Sequence, residues 1–500
     1  MYEDYKTHLR KIADVNHTIA ILQWDREINM PKDGAEQRAQ QVATLSGLSH
    51  ELAINEKYGQ LLENLSSEKS LSEQEKRNVE LSMKDFKKAK KYTTEFVQTC
   101  SKAVSKAYQK WLIAKTEKDF SIFAPALETL VQLKKEECKL VGFEEHPYDA
   151  LLDQFEPGTK TSDINRWFGG VREHLIPFVK QISESEQVDD SFMYHYYNKE
   201  KQWDFSIEIL KQMGYNFNAG RQDISPHPFT TSFGPADVRV TTRINENDMS
   251  ECLWSAIHEG GHALYEQGLP QKNYGLPAGQ AISLGIHESQ SRLWENNVGR
   301  ALPFWKQNFA KIQRAFPKNL GNVSLESFYR AMNTVKPSLI RTSADELTYH
   351  FHVMIRFEIE KSLIEGEVSV NDLPQLWNSK YKEYLGIDVP SDDKGVLQDI
   401  HWSYGSFGYF PTYSLGSFYA AQFFAKAKED VTSLEEGISN GNTSTLLHWL
   451  RENIHQYGKF FSAEDLCKKI TGKKLDFECF MEYAKNKYSK IYSLEEMHVF

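Results

Sequence analysis

From residue 1 to about residue 140, apolar residues recur every three or four positions among Glu, Lys, Leu, Ala and Gln. That spacing lines one face of a helix. Pro31 closes the first stretch and Pro125 is the next proline, so the region predicts long amphipathic helices in antiparallel pairs. No strict heptad holds over several turns, which argues against a coiled coil. Helical spacing continues over 163–215, apart from a polar break near Glu184–Asp190. From about Asn216 to Ile244 the texture changes: Gly, Pro, Thr and β-branched residues gather, and Asp237-Val238-Arg239-Val240-Thr241-Thr242-Arg243 alternates as a strand does. After residue 280 helical spacing returns, interrupted by a glycine- and aromatic-rich loop from Gly395 to Gly416. The pattern predicts a mainly α protein with a small β-sheet. It reads as one unit over 1–500, with a mostly helical region over 1–215, a sheet over 216–245 and a helical region over 246–500.

One helix in the last region carries chemistry. Asp248-Met249-Ser250-Glu251 has the form of a capping box, an Asp N-cap with Glu three residues on. Gly268 and Pro270 supply a stop, and Met249, Leu253, Ile257 and Leu264 recur at helical spacing between them. In the middle stands His258-Glu259-Gly260-Gly261-His262. On a helix the two histidines lie about 40° apart around the axis and roughly 6 Å along it. Both imidazoles can then reach one ion at about 2.0–2.1 Å. Glu259, on the adjoining face, can touch a water on that ion without ligating it. Gly260 and Gly261 each cost about 1 kcal/mol inside a helix, tolerable where another backbone must approach closely.

A catalytic site of this kind needs a third protein ligand, commonly a carboxylate, and an open position. Glu266 falls about 12 Å along the axis from His258 and cannot share its ion; Glu251 is too early by the same geometry. Glu288 and Glu295 both lie on the next helical segment, Ala281 to Arg300. Glu288 is the favoured ligand. Glu295 reads as a hydrogen-bond partner of the site or a surface carboxylate.

Composition narrows the surroundings. The net charge of −10 and the absence of a long basic stripe argue against nucleic-acid binding; the lysines between Lys84 and Lys91 are flanked by acidic segments. The five cysteines (Cys100, Cys138, Cys252, Cys467, Cys479) are odd in number, widely spaced and without a Cys-x-x-Cys pair, as expected of free thiols in a reducing compartment. The N-terminus has no basic and apolar leader, and no run of eighteen apolar residues occurs. The expectation is a soluble cytoplasmic protein with no membrane partner.

Six ordered strings then carry a resemblance: His227-Pro228-Phe229; Asp237-x-Arg239-x-Thr241; His258-Glu259-x-x-His262; His287-Glu288-Ser289-Gln290; Ile340-Arg341-x-x-Ala344-Asp345; and Gly395-x-x-Gln398-Asp399-x-His401-Trp402. Together they resemble the zinc metallocarboxypeptidases of the carboxypeptidase Taq family, and Trp24-Asp25 and Met30-Pro31 in the N-terminal third look similar too. The resemblance implies a large two-lobed helical body with a deep active-site groove, one wall of it from residues 1–215, related to the neurolysin group of zincins. It implies Zn2+ (Co2+ possible) on His258, His262 and Glu288, with Glu259 as general base. It also implies a homodimer that removes C-terminal residues from peptides with broad preference, usually sparing proline.

The reaction asks for more than a metal. Its tetrahedral oxyanion needs further donors, and His401, Tyr409 and Tyr413 are the candidates. A free C-terminal carboxylate is best recognised by a guanidinium, which singles out Arg341 and Arg239. Either could instead form a structural ion pair, with Asp345 or Asp237. His227 could line the cleft or cap a turn, and Gln290 and Asp399 are candidates for orienting the ligand imidazoles. The same metal triad would also serve an endo-acting oligopeptidase or survive in an inactive peptide-binding scaffold.

Overall fold

Each apolar-periodic stretch of the first 140 residues forms helix: Tyr2–Ile28, Ala35–Ala53, Glu56–Ser66, Glu73–Ala89, Thr94–Glu117 and Ala124–Val141. The structure, a computed structural model, describes residues 1–494. Local chemistry sets several starts. Asn55 accepts from the amides of Lys57 and Tyr58, Ser72 and Glu75 close a reciprocal capping box, and Thr93 accepts from Phe96 N. Pro125 sits in the first turn of its helix, where an amide hydrogen would lack a partner anyway. Among the described residues, no helix is long and apolar enough to cross a membrane.

By compactness the described chain gathers into two units. One unit gathers Met1–Lys90, Asp189–Met332 and Tyr419–Leu475; the other gathers Lys91–Val188, Asn333–Phe418 and the segment from Asp476. The reason is where apolar stripes close. Tyr5, Tyr58, Leu62, Leu65, Val79 and Phe86 of the first, third and fourth helices bury themselves together with Leu276, which lies far along the chain.

In the first unit three short strands form a sheet: β1 (Gln222–Ile224), β2 (Thr230–Ser232) and β3 (Val238–Thr242). Their order is β1-β3-β2, with β3 parallel to β1 and antiparallel to β2 in the register Thr231 opposite Arg239. The sheet leans on the helix Met249–Gly268: Thr242 Oγ1 meets Cys252 O at 3.2 Å and Ser255 Oγ at 2.7 Å. That helix starts at Asp248, which accepts from Ser250 N at 2.8 Å, and stops at Gly268. The expected capping box does not close. Asp248 N is already bonded to Asn245 O, and Glu251 turns to Arg243 at 3.4 Å instead.

The next helix, Leu284–Arg292, is capped by Ser283 and runs on as a π-helical turn over Leu293–Gly299. It crosses Gly261 at very short range. A Cβ there would lie 2.7 Å from Gln290 O and from Ser291 Cα, so the two backbones touch only because residue 261 has no side chain. Gly260 faces Leu210 in the same way, 2.6 Å from its Cδ2.

In the second unit, the helix Tyr349–Glu365 is buried on nearly every side and carries His350, His352, Arg356 and Glu360 inward. The glycine- and aromatic-rich stretch that follows is shorter as a loop than expected. A helix begins at Pro411, whose ring pre-sets φ for a first turn, so Tyr413 stands on a helix. Gly408 holds φ +89°, and a Cβ on it would meet Leu151 C at 2.7 Å.

Candidate active site

His258 and His262 project from one face of the helix Met249–Gly268 toward Glu288 on the neighbouring helix. Glu288 Oε2 lies 3.6 Å from His258 Nε2 and 3.3 Å from His262 Nε2. A tetrahedral ion with arms of about 2.0–2.1 Å has edges of about 3.3 Å, so these distances already fit. The three donor atoms lie within 4.8 Å of one another. The close contact at Gly261 produces this spacing, because it sets how near Glu288 comes to the two imidazoles.

Each donor is held from behind. Arg292 Nε donates to Glu288 Oε1 at 2.7 Å, and Ser291 Oγ lies 3.1 Å from Oε2, leaving Oε2 to face the imidazoles. His258 Nδ1 meets Glu295 Oε2 at 2.9 Å. Glu295, on the π-helical turn, also accepts from Arg292 and Arg300. His262 Nδ1 meets His287 Nδ1 at 2.6 Å, and His287 Nε2 meets Glu266 Oε1 at 2.8 Å. These bonds hold the outer nitrogens and leave both Nε2 atoms to the site.

The electrostatics suit a divalent cation. Burial by itself would raise the Glu288 and Glu295 carboxyls, but Arg292 and the nearby imidazoles outweigh it and hold both well below the usual carboxylate range. Burial pushes His262 down, toward the neutral form a metal ligand needs, whereas at His258 burial is outweighed by the Glu288 and Glu295 carboxylates, which push it up. A His2Glu donor set with an ionised carboxylate, surrounding negative charge and matching edges fits a divalent metal.

Glu259 lies beside this triad, 7% exposed. Thr230 Oγ1 of β2 donates to its Oε2 at 2.6 Å and lies 3.0 Å from its carbonyl oxygen. One carboxylate oxygen is therefore fixed by the sheet and the other, Oε1, is left to act.

The remaining expected residues divide between the units. Arg239, in the first, donates from Nε and one terminal nitrogen to both oxygens of Asp237 (2.9 and 2.8 Å), between the rings of Trp24 and Phe233. The His227 imidazole is exposed, and its carbonyl accepts from Ser225 Oγ at 2.7 Å, so its main chain serves the turn. Gln290 turns away from the ligands: its Oε1 accepts from His455 Nε2 at 3.0 Å.

In the second unit Arg341 pairs with Asp399 and not with Asp345, through Nε at 3.0 Å and a terminal nitrogen at 2.9 Å. Its other terminal nitrogen donates to Tyr349 OH. Asp345 is used by its own turn, accepting from Leu347 N and from Thr348 N and Oγ1. Asp399 therefore does not orient a ligand imidazole; its second oxygen takes Arg356 Nε at 2.6 Å. His401 Nε2 lies 3.2 Å from Tyr413 OH, and Tyr409 packs 5.3 Å from the rings of both. Burial, with Arg341 adding to it, pushes His401 down to about 3, so it is a neutral donor.

Sequence reasoning missed Arg292, Thr230 and His287. Arg292 was legible, four residues past Glu288 on one helix face. Thr230 was not, because only the sheet brings it to Glu259. His287 stood inside one of the six strings, but its partners come from another helix.

Comparison with known proteins agrees with this geometry. The family model described as carboxypeptidase Taq (M32) metallopeptidase matches residues 4–488. Carboxypeptidase 1 of Bacillus subtilis is 42% identical over 97% of both chains. Thermostable carboxypeptidase 1 of Thermus thermophilus is 38% identical over 98% of this chain and 99% of that one. The crystal structure of an M32 carboxypeptidase from Deinococcus radiodurans superposes with a TM-score of 0.97 at 37% identity, covering 99% of each chain. With the triad, its supporting bonds and the fold all in place, the chain belongs to the carboxypeptidase Taq (M32) family and is a metallocarboxypeptidase.

Proposed function

We propose that the protein uses Zn2+ on His258, His262 and Glu288 to release C-terminal residues from peptides. The observation that carries this reading is the triad's spacing, 3.3 and 3.6 Å from Glu288 Oε2 to the two Nε2 atoms, with Glu259 beside it. When bound, zinc supplies a Lewis acid for the scissile carbonyl and makes a water acidic near pH 7; Co2+ is a competent substitute. Glu259 Oε1 takes the proton of the attacking water and returns it to the leaving nitrogen. Thr230 holds the other oxygen, so this carboxylate does not rotate between the two transfers. His401, Tyr409 and Tyr413 are the assigned donors to the oxyanion. The neutrality of His401 supports this role, since its donation does not change across the neutral range.

For the substrate carboxylate, Arg341 is the stronger assignment. Arg341 and Arg356 share Asp399, the only carboxylate either one contacts among the described residues, so a second carboxylate would balance the pair. Arg239 and Asp237 already balance one to one, and His227 is kept as a lesser contact. Five cysteines without a disulfide support a reducing cytoplasmic setting. The homodimer rests on family resemblance and is tested by sedimentation.

The deciding experiment is mass spectrometry of one unstructured peptide, free and C-terminally amidated, with the zinc-loaded protein. A ladder of single-residue losses from the free form only, abolished in Arg341→Met, is expected. Internal cuts in both forms would replace the reading with an endo-acting oligopeptidase. No cleavage with zinc or cobalt would leave a peptide-binding scaffold.

A further inference from the structure

The two imidazoles of the triad are supported in different ways. His258 meets a carboxylate directly, Glu295 Oε2 at 2.9 Å. His262 meets another imidazole, His287, at 2.6 Å between Nδ1 atoms, and only beyond it a carboxylate, Glu266 Oε1, at 2.8 Å. Glu266 lies four residues past His262 on the same helix face, and the His287 ring fits between the two from the neighbouring helix. His287 immediately precedes Glu288, so one helix places both the third ligand and this ring. The His287 ring also packs 5.3 Å from Tyr265.

Hydrogen counting gives the contact a direction. Two nitrogens 2.6 Å apart share one hydrogen; two would clash and none would leave lone pairs opposed. A metal takes the Nε2 lone pair of His262, so the ring hydrogen of neutral His262 sits on Nδ1. His287 Nδ1 must then accept, which puts the single hydrogen of neutral His287 on Nε2, pointing at Glu266. The chain of donors runs one way, from His262 through His287 to Glu266.

We infer that His287 and Glu266 are positioning residues that fix the tautomer and ring orientation of His262 and so set the metal affinity of the site. Glu266, too distant to ligate, acts on the ion through two rings. The inference rests on the proposed metal-binding role of His258, His262 and Glu288. Removal of such support costs about 10–100-fold in metal affinity in comparable sites.

The test is chelator competition for Zn2+ on the full-length protein. His287→Phe keeps a ring of similar size but neither bond; Glu266→Ala removes the terminal acceptor. Both are expected to raise the zinc Kd by about 10–100-fold while thermal melts of the zinc-loaded proteins stay cooperative. His287→Asn, whose Oδ1 can still accept from His262, is expected to keep an affinity between wild type and His287→Phe, and it serves where the phenylalanine variant does not fold. Wild-type affinity in Glu266→Ala, or in His287→Phe or His287→Asn together with a lowered melting point, would overturn the inference in favour of simple packing. Failure of the wild type itself to bind one zinc per chain would instead refute the metal site, a result distinct from the first.

Discussion

Gly261→Ala is the change that most directly tests how the site is spaced. Its Cβ would stand 2.7 Å from Gln290 O and Ser291 Cα, both backbone atoms that no rotamer change can move. Ordinary contact needs about 3.5–4.0 Å, so the two helices must part by roughly 1 Å. Gly261 adjoins His262, and Glu288 lies two residues before Gln290, so the parting passes to the 3.3 and 3.6 Å edges of the triad. Metal sites tolerate only about 0.2 Å of such change. Overpacking costs about 1–3 kcal/mol, against about 1 kcal/mol gained by alanine over glycine in a helix. Net stability should therefore fall by at most about 2 kcal/mol, while zinc affinity falls at least about tenfold. Gly47→Ala is the control: it lies in the helix Ala35–Ala53 with nothing within 4 Å of its Cβ. That variant should gain up to about 1 kcal/mol and bind zinc as the wild type does. Chelator competition and thermal melts read both. A Gly261→Ala protein with wild-type zinc affinity would refute the claim that this contact sets the ligand spacing.

Three further outcomes are expected. Glu259→Gln should lower kcat by about 10²–10⁴-fold with zinc affinity nearly unchanged, measured by peptide release and chelator competition; loss of zinc with activity would assign Glu259 to ligation instead. Burial pushes the Glu360 carboxyl up to about 7, and the bonds from Tyr148, Gly408 N and Trp402 only partly oppose it. A raised folded pKa gives stability that is complete below the unfolded value and lost as pH rises through the folded one. Between about pH 4.5 and 7.5 the wild type should therefore lose about 3 kcal/mol relative to Glu360→Gln, and a pH-independent difference in denaturant melts would contradict this. Removing metal with a chelator should lower the melting midpoint, and Zn2+ in about 100-fold excess over Kd should restore about 2.7 kcal/mol. An unchanged midpoint would mean that the folded state gains nothing from the ion.

Local pattern determined a great deal here. The helices of the first 140 residues, the strand around Val238–Thr242 and the histidine pair on one helix face follow from spacing, because helix and strand periods act within a few residues; Glu288 was singled out over Glu295 with the help of the family resemblance. Gly260 and Gly261 were even legible as a place where other atoms must come close. Contacts between distant segments decided the rest. Arg341 chose Asp399 over Asp345 because Asp345 was already occupied by its own turn, and the Asp248 capping box failed because Asn245 had taken the amide. Leu276 drew residues 1–90 into one unit with the catalytic helix. Thr230 reached Glu259 only through the sheet, and His287 stands between His262 and Glu266 only because two helices touch at a glycine. Sequence determined which groups could do the chemistry. Which groups hold them, and in what orientation, was decided by packing, where each donor takes whichever acceptor the tertiary fold leaves open.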